Sequence, residues 1–377
     1  MKKIMIAYCQ YGGGHLSAAK NIKEYIEQNY PDTEILLFDF MKYISKIVDK
    51  VCGSTYSKII TNIPWLWGKI YYHTQEPVFE KIISLSNKVF AYKLLKLIKD
   101  FKPDVIISTH FFVGHMCSML KKKGKLTCNL ANVITDYGVD PYNEWISGHK
   151  FIDYIFVPHS EMKSKLIEKG VLPEKLFATG IPISNRFLCK FNKKEILESL
   201  NFSEDKKTIL FFGGGEQGLG KSKTIFILEV LASKYKDIQI IAVAGKNENL
   251  KNTFDKIVSD NHREADIKVL GFTDKVPEFM HISDIVITKP GGLTSTESLV
   301  SNLPLIAINP IPGQETDNAE FLEKKGAAIW LKDEKDFIYV LNTLLRNDIH
   351  LQKMKENIEE IRKPDSTQNI CKIILEQ

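Results

Sequence analysis

Short apolar runs alternate with longer stretches of helical periodicity along all 377 residues. In the first half the runs Ile4–Tyr8, Ile35–Phe38, Val105–Ser108, Leu130–Ile134, Tyr154–Val157 and Phe177–Thr179 predict strands. In the second half Ile209–Phe212, Gln239–Ala244, Ile267–Leu270, Ile285–Thr288, Leu305–Ile308 and Ala328–Leu331 do the same. Strands spaced by helix-length segments indicate α/β architecture with parallel sheets. The polar stretch "FLCKFNKKEILESLNFSEDKK" (187–207) carries one short helix and separates the halves. The expected layout is an N-terminal domain over 1–187, a linker over 188–206 and a C-terminal domain over 207–377. The last helix is free to pack back on the first domain. Two doubly wound, Rossmann-like domains of this kind would meet along a central cleft lined by their glycine turns, since ligands bind at strand C-termini.

Composition adds limits. With 44% hydrophobic and 26% charged residues the chain is globular rather than disordered. The start "MKKIMIAYCQ" has too few apolar residues in a row for a signal-peptide core and reads as a buried strand. No run approaches the roughly 18 apolar residues of a membrane span. The six cysteines are scattered without C-x-x-C, and the nine histidines form no H-E-x-x-H. Reduced thiols in a cytosol and no side-chain metal site are therefore expected. Charge is uneven: residues 1–187 hold 25 Lys and Arg against 17 Asp and Glu, and the remainder 26 against 29. The basic half suits an anionic surface.

The stretch "GGGEQGLGKSK" (213–223) sits between two apolar runs and fits two phosphate-binding patterns. Gly215 to Ser222 reads as a P-loop, and Gly213 to Gly218 as a dinucleotide fingerprint. Each lacks its second half. A P-loop needs an acid at the end of another strand for magnesium, and "IQIIAVAG" and "DIVITKPGG" supply none. A dinucleotide site needs an acid after the next strand, where Gly245, Lys246 and Asn247 stand instead. The shared physics survives: glycines let backbone N–H groups approach a phosphate at a helix start.

Two further turns carry chemistry. "YGGGHLSAAK" (11–20) opens a helix after the first strand, with His15 in its first turn. The helix dipole there should lower its pKa and keep it neutral, able to act as a base. In "ITKPGGLTSTESLVSNLPLIAINPIPGQETDNAEFLEKKGAA" (287–328) Pro290, Gly291 and Gly292 make a tight turn before Thr294, and Glu297 lies one turn further on. Gln314, Glu315, Asp317 and Asn318 are expected on a loop after the next strand. Carboxylates and amides on rigid turns suit a polyhydroxylated ligand.

At this point the chain resembles a GT-B glycosyltransferase of the family containing monogalactosyldiacylglycerol synthase and the bacterial diacylglycerol glucosyltransferases. The motifs "YGGGHLSAAK", "VITDYGVDPYNEW", "VPHSEMKSKLIEKGV", "ATGIPIS", "FFGGGEQG", "VLGFTDKVPEFMHISDIVITKPGG" and "PIPGQETDNAEFLEKKGAA" span nearly all of it. The resemblance implies that the C-terminal domain binds a UDP-sugar, UDP-glucose or UDP-galactose. Glu297 would hold the ribose, Gln314, Glu315 and Asn318 the sugar side. Gly213, Gly214, Gly215, Gln217 and Gly218, with Gly291, Gly292 and Thr294, would cradle the pyrophosphate. Diacylglycerol would bind the N-terminal domain at Gly14, with His15 and Asp136 at the reacting hydroxyl. Such enzymes invert the anomeric centre, and the resemblance implies no required metal and no other cofactor. The sequence holds no D-x-D. One departure is that "TDYGVDPYNEW" has Asp140 about where the family carries histidine, which bears on the acceptor.

The acceptor side has support of its own. "SKIITNIPWLWGKIYYHTQ" (57–75) gathers Trp65, Trp67, Tyr71 and Tyr72 beside lysines, a composition suited to a membrane interface. "KVFAYKLLKLIKDFK" (88–102) is a basic amphipathic helix that reads better as packed on the sheet. A cytoplasmic protein peripheral on the inner membrane face is expected, and nucleic acid is not among its partners. Two other readings share these residues: N-acetylglucosamine transfer to a polyprenyl-linked acceptor, and a non-catalytic sensor of nucleotide sugar or membrane. Joint presence of His15, Asp136, Glu297 and Gln314 argues against the sensor, and "PGQE" favours the glycolipid branch.

Overall fold

The computed structural model describes residues 1–10, 13–44, 58–59, 63–73, 90–141, 143–214 and 221–376. They form two compact units. The first comprises Met1–Asn185, Pro312–Asp317 and Lys363–Gln377; the second comprises Arg186–Ile311 and Asn318–Arg362.

The first unit is built on β1 (Lys2–Tyr8), β2 (Thr33–Asp39), β3 (Val105–Ser108), β4 (Asn129–Val133), β5 (Tyr154–Phe156) and β6 (Leu176–Phe177). All pairs are parallel, in the order β2-β1-β3-β4-β5-β6. The middles of the central strands are mostly apolar because helices cover both faces. Met5 and Ile106 face a core that includes Leu94 and Met116, while Ile4, Ile6 and Ile107 face one that includes Ile22 and Ile370. The second core takes in the chain's last helix, Ser366–Leu375. Ser366 Oγ donates to Ile181 O at 2.8 Å, and Thr367 Oγ1 donates to Ile183 O at 2.7 Å.

The second unit is built on β7 (Lys207–Phe212), β8 (Ile238–Val243), β9 (Ile267–Leu270), β10 (Ile285–Thr288), β11 (Leu305–Ala307) and β12 (Ala328–Trp330). Its order is β12-β11-β10-β7-β8-β9, again parallel. Residues 188–206, expected as a linker, carry the Lys193–Ser199 helix and group with this unit. Leu197 is buried there, and Gln239 Nε2 donates to Ser203 O at 2.7 Å.

In each sheet the chain winds outward one way from its first strand and then the other. The reversal falls between β1 and β3 in the first unit and between β7 and β10 in the second. Crevices at such reversals, beyond the carboxyl ends of the strands, are where this architecture holds ligands.

Candidate active site

His15 stands at the reversal point of the first unit, second residue of the Gly14–Asn29 helix, whose N-cap Gly13 provides no side-chain cap. Its Nδ1 lies 2.7 Å from the Thr109 carbonyl, at the end of β3. Thr109 Oγ1 returns a bond to His15 O at 2.9 Å, and Thr135 Oγ1, at the end of β4, is 3.1 Å from Nδ1. A carbonyl only accepts, so Nδ1 carries the proton and Nε2 carries the lone pair. Burial holds the imidazole below the ordinary histidine value, against the nearby Asp136 and the Thr109 carbonyl, which act the other way. Burial is thus the leading cause, where the sequence suggested the helix dipole. The rings of His110 and Trp145 lie at 4.7 and 6.4 Å.

Asp136 follows Thr135 on the loop beyond β4. That loop is pinned by His159, which donates from Nε2 to Tyr137 O at 2.8 Å while its Nδ1 accepts from Met162 N at 3.2 Å. Trp145 is held by Asn132, whose amide donates to Trp145 O at 3.0 Å. Asp140 is exposed and pairs with Lys169, which also donates to Asn143 Oδ1 at 3.0 Å. Within this unit Asp136, Gly138 and Trp145 line a small pocket with Gln314 and Asp317. The Gln314 Oε1 is buried with no hydrogen-bond partner among the described residues.

The second unit brings two glycine turns side by side, because β7 and β10 are neighbours. Gly213 donates to Val243 O at 2.9 Å, and a Cβ there would meet the Phe254 ring at 2.7 Å. Gly214 has φ of 100°, a left-handed value that glycine adopts without strain. Beyond β10, Gly291 is the N-cap of the Gly292–Val300 helix and offers no side chain to it. The first N–H groups of that helix are thus left for another acceptor. Thr294 is half-buried in the first turn, and Glu297 lies further along, half-buried. No described residue hydrogen-bonds or pairs with the Glu297 carboxyl, and burial pushes it up to about 8.

Gln314, Glu315 and Asp317 are not on a loop. They form the first turn of the Gln314–Lys324 helix, which starts after Gly313 at φ of 98°. Asn318 is fully buried, and its amide donates to Pro290 O at 3.0 Å, so it fastens this helix to the Pro290–Gly291 turn. Gly215, Gln217, Gly218 and the Tyr71 side chain lie outside the described residues. On the Pro64–His73 helix Trp65 is 61% exposed with Lys69 Nζ 5.2 Å from its ring, whereas Trp67 is half-buried. Among the described residues no helix is long and apolar enough to cross a membrane.

Sequence reasoning missed Thr109, His110, Thr135 and His159. The available signal was position: "STH" ends β3, beside β1, "IT" ends β4, beside β3, and His159 precedes a helix at a capping place.

The model of monogalactosyldiacylglycerol (MGDG) synthase matches residues 15–183, and that of the glycosyltransferase family 28 C-terminal domain matches residues 208–370. A processive diacylglycerol beta-glucosyltransferase of Bacillus cereus (strain 03BB102) is 31% identical over 376 residues, 99% of this chain and 93% of the relative. Among solved structures, Acinetobacter baumannii MurG has a TM-score of 0.67 at 14% identity, with 100% of each chain covered. UDP-GlcNAc 2-epimerase from Neisseria meningitidis bound to UDP-GlcNAc has a TM-score of 0.63, also at 14% identity and 100% of each chain. These likenesses concern the fold, which is GT-B. The chain belongs to the monogalactosyldiacylglycerol synthase family of glycosyltransferases.

Proposed function

We propose that the chain transfers a hexose from a UDP-sugar to the hydroxyl of diacylglycerol with inversion at the anomeric carbon. As a member of its family it is a diacylglycerol glycosyltransferase; the donor, the stereochemistry and the residue roles are the proposal. The observation that carries it is His15, neutral, half-buried, tied by Nδ1 to Thr109 O and left with Nε2 as a base.

In the proposed step Nε2 takes the acceptor proton as the hydroxyl oxygen attacks the sugar's anomeric carbon. The bond from that carbon to the diphosphate breaks, and the electron pair leaves with UDP. Asp136 stabilises the imidazolium formed. The uncapped start of the Gly292–Val300 helix and the Gly213–Gly214 turn receive the diphosphate charge through backbone N–H groups. Glu297 accepts from the ribose hydroxyls, which supply the partners its carboxyl lacks. Gln314 and Glu315 bind the sugar. Asn318, by contrast, acts from below by holding the turn.

The relative's name supports glucose, and inversion of an α-linked donor gives the β product that name specifies. Membrane docking is proposed through the first unit, with the exposed Trp65 and Lys69 at the inner membrane face. The test is incubation with labelled UDP-glucose or UDP-galactose on diacylglycerol vesicles, followed by NMR of the lipid product. A β-linked hexosyl diacylglycerol is expected. An α-linked product, or hydrolysis without lipid product, contradicts the reading.

A further inference from the structure

We infer that His110 is a positioning residue for His15: its ring is the wall that keeps the base with Nδ1 on the Thr109 carbonyl and Nε2 as proton acceptor. The inference rests on the reading of His15 as the base. His110 directly follows Thr109, so whatever fixes one orients the other. Its Nδ1 accepts from Phe112 N at 3.3 Å, making it the N-cap of the Phe111–Lys122 helix. The rings of Phe111 and Phe112 stack on it at 4.5 and 5.0 Å. Ser108 Oγ donates to His110 O at 2.6 Å. His110 also meets His15, edge to face at 4.7 Å.

The cap needs the Nδ1 lone pair, so the neutral ring carries its proton on Nε2, and protonating Nδ1 would break the cap. A second cation at this distance would also be repelled in a desolvated setting. The pair therefore takes up at most one proton beyond those of its two neutral rings, and that proton goes to His15. Burial and the neighbouring His15 keep His110 well below the ordinary histidine value. The elements around the two rings also carry Cys9 after β1, His115 in the Phe111–Lys122 helix, Asp136 after β4 and Glu144 beside Trp145. Of these Asp136 draws the proton towards His15. The wall works the other way, excluding water that would favour the charged imidazole.

The test is the pH–rate profile of the full-length protein, with UDP-glucose and diacylglycerol vesicles, for wild type, His110→Asn, His110→Phe and His15→Asn. Asn retains a capping oxygen and removes the wall; Phe retains the wall and removes the cap. His110→Asn is expected to lower kcat about tenfold with KM for UDP-glucose within about twofold. Its acid limb should move up by about half a pH unit or more, towards the ordinary histidine value. His110→Phe should leave the acid limb in place. A wild-type profile and kcat in His110→Asn overturn the inference and leave His110 a helix cap. An acid limb that survives in His15→Asn instead overturns the base assignment itself. Histidine NMR of the wild type needs no variant: a proton on His15 Nδ1 is expected, and a proton on Nε2 overturns the inference.

Discussion

At the scale of single residues, two groups carry the proposed chemistry and their legibility differs. His15 was readable because a histidine follows three glycines at a strand-to-helix turn. Its partner Thr109 was not, because a threonine after an apolar run becomes a ligand only once β3 lies beside β1. Glu297 was readable from "TES" after the glycine turn, but its lack of a partner among the described residues was not, since that is a property of the fold. That lack has a measurable consequence. The Glu297 carboxyl has a folded value raised to about 8, so its protonated form is favoured in the folded state. Stability associated with that proton is fully present below the unfolded carboxylate value near 4 and is lost as pH rises through the folded value. Glu297→Gln should therefore raise the Tm of the UDP-free protein above pH 8 and change it little near pH 4. The same variant should weaken UDP binding by about 1.5–3 kcal/mol as charge-assisted hydrogen bonds are lost. Calorimetry with and without UDP at both pH values reads both effects. A UDP affinity equal to wild type would remove Glu297 from the donor site.

At the scale of elements, the strands were the most legible feature. All twelve expected strands occur, within a residue or two at each end in most cases, because strands covered on both faces are written as continuous apolar runs. The sequence at the start of the Gln314–Lys324 helix reads as loop, and the structure makes it helical. Pro310, Pro312 and Gly313 mark a turn, and the polar residues after them carry no apolar period in that first turn. Asn318 took a sugar-binding role in that reading; its fully buried amide on Pro290 O gives it a structural one. Asn318→Ala should cost about 1–3 kcal/mol of stability, since it leaves a buried carbonyl without its donor. Donor affinity should fall too, because the Pro290–Gly291 turn loses its fastening. Denaturant unfolding and UDP titration check the two parts. Unchanged stability would mean that the bond is replaced by water.

At the scale of the whole molecule, the two units divide the proposed reaction. The first holds the base and the exposed aromatic of the Pro64–His73 helix; the second holds the uncapped helix start and the lone carboxyl. The charge split along the sequence has the same division, with the excess of lysine in residues 1–187. Trp65→Ser should reduce binding to anionic vesicles, in a part that salt does not remove, and leave UDP affinity intact. Sedimentation at low and high salt measures this, and undiminished binding would place the docking surface elsewhere. The central claim is that acceptor activation belongs to His15 and that UDP binding does not depend on it. The direct measurement is kcat together with UDP affinity in His15→Ala. Turnover should fall by about 10²–10⁴ with UDP affinity nearly unchanged. Turnover near wild type, or a matching loss of UDP affinity, would contradict the account.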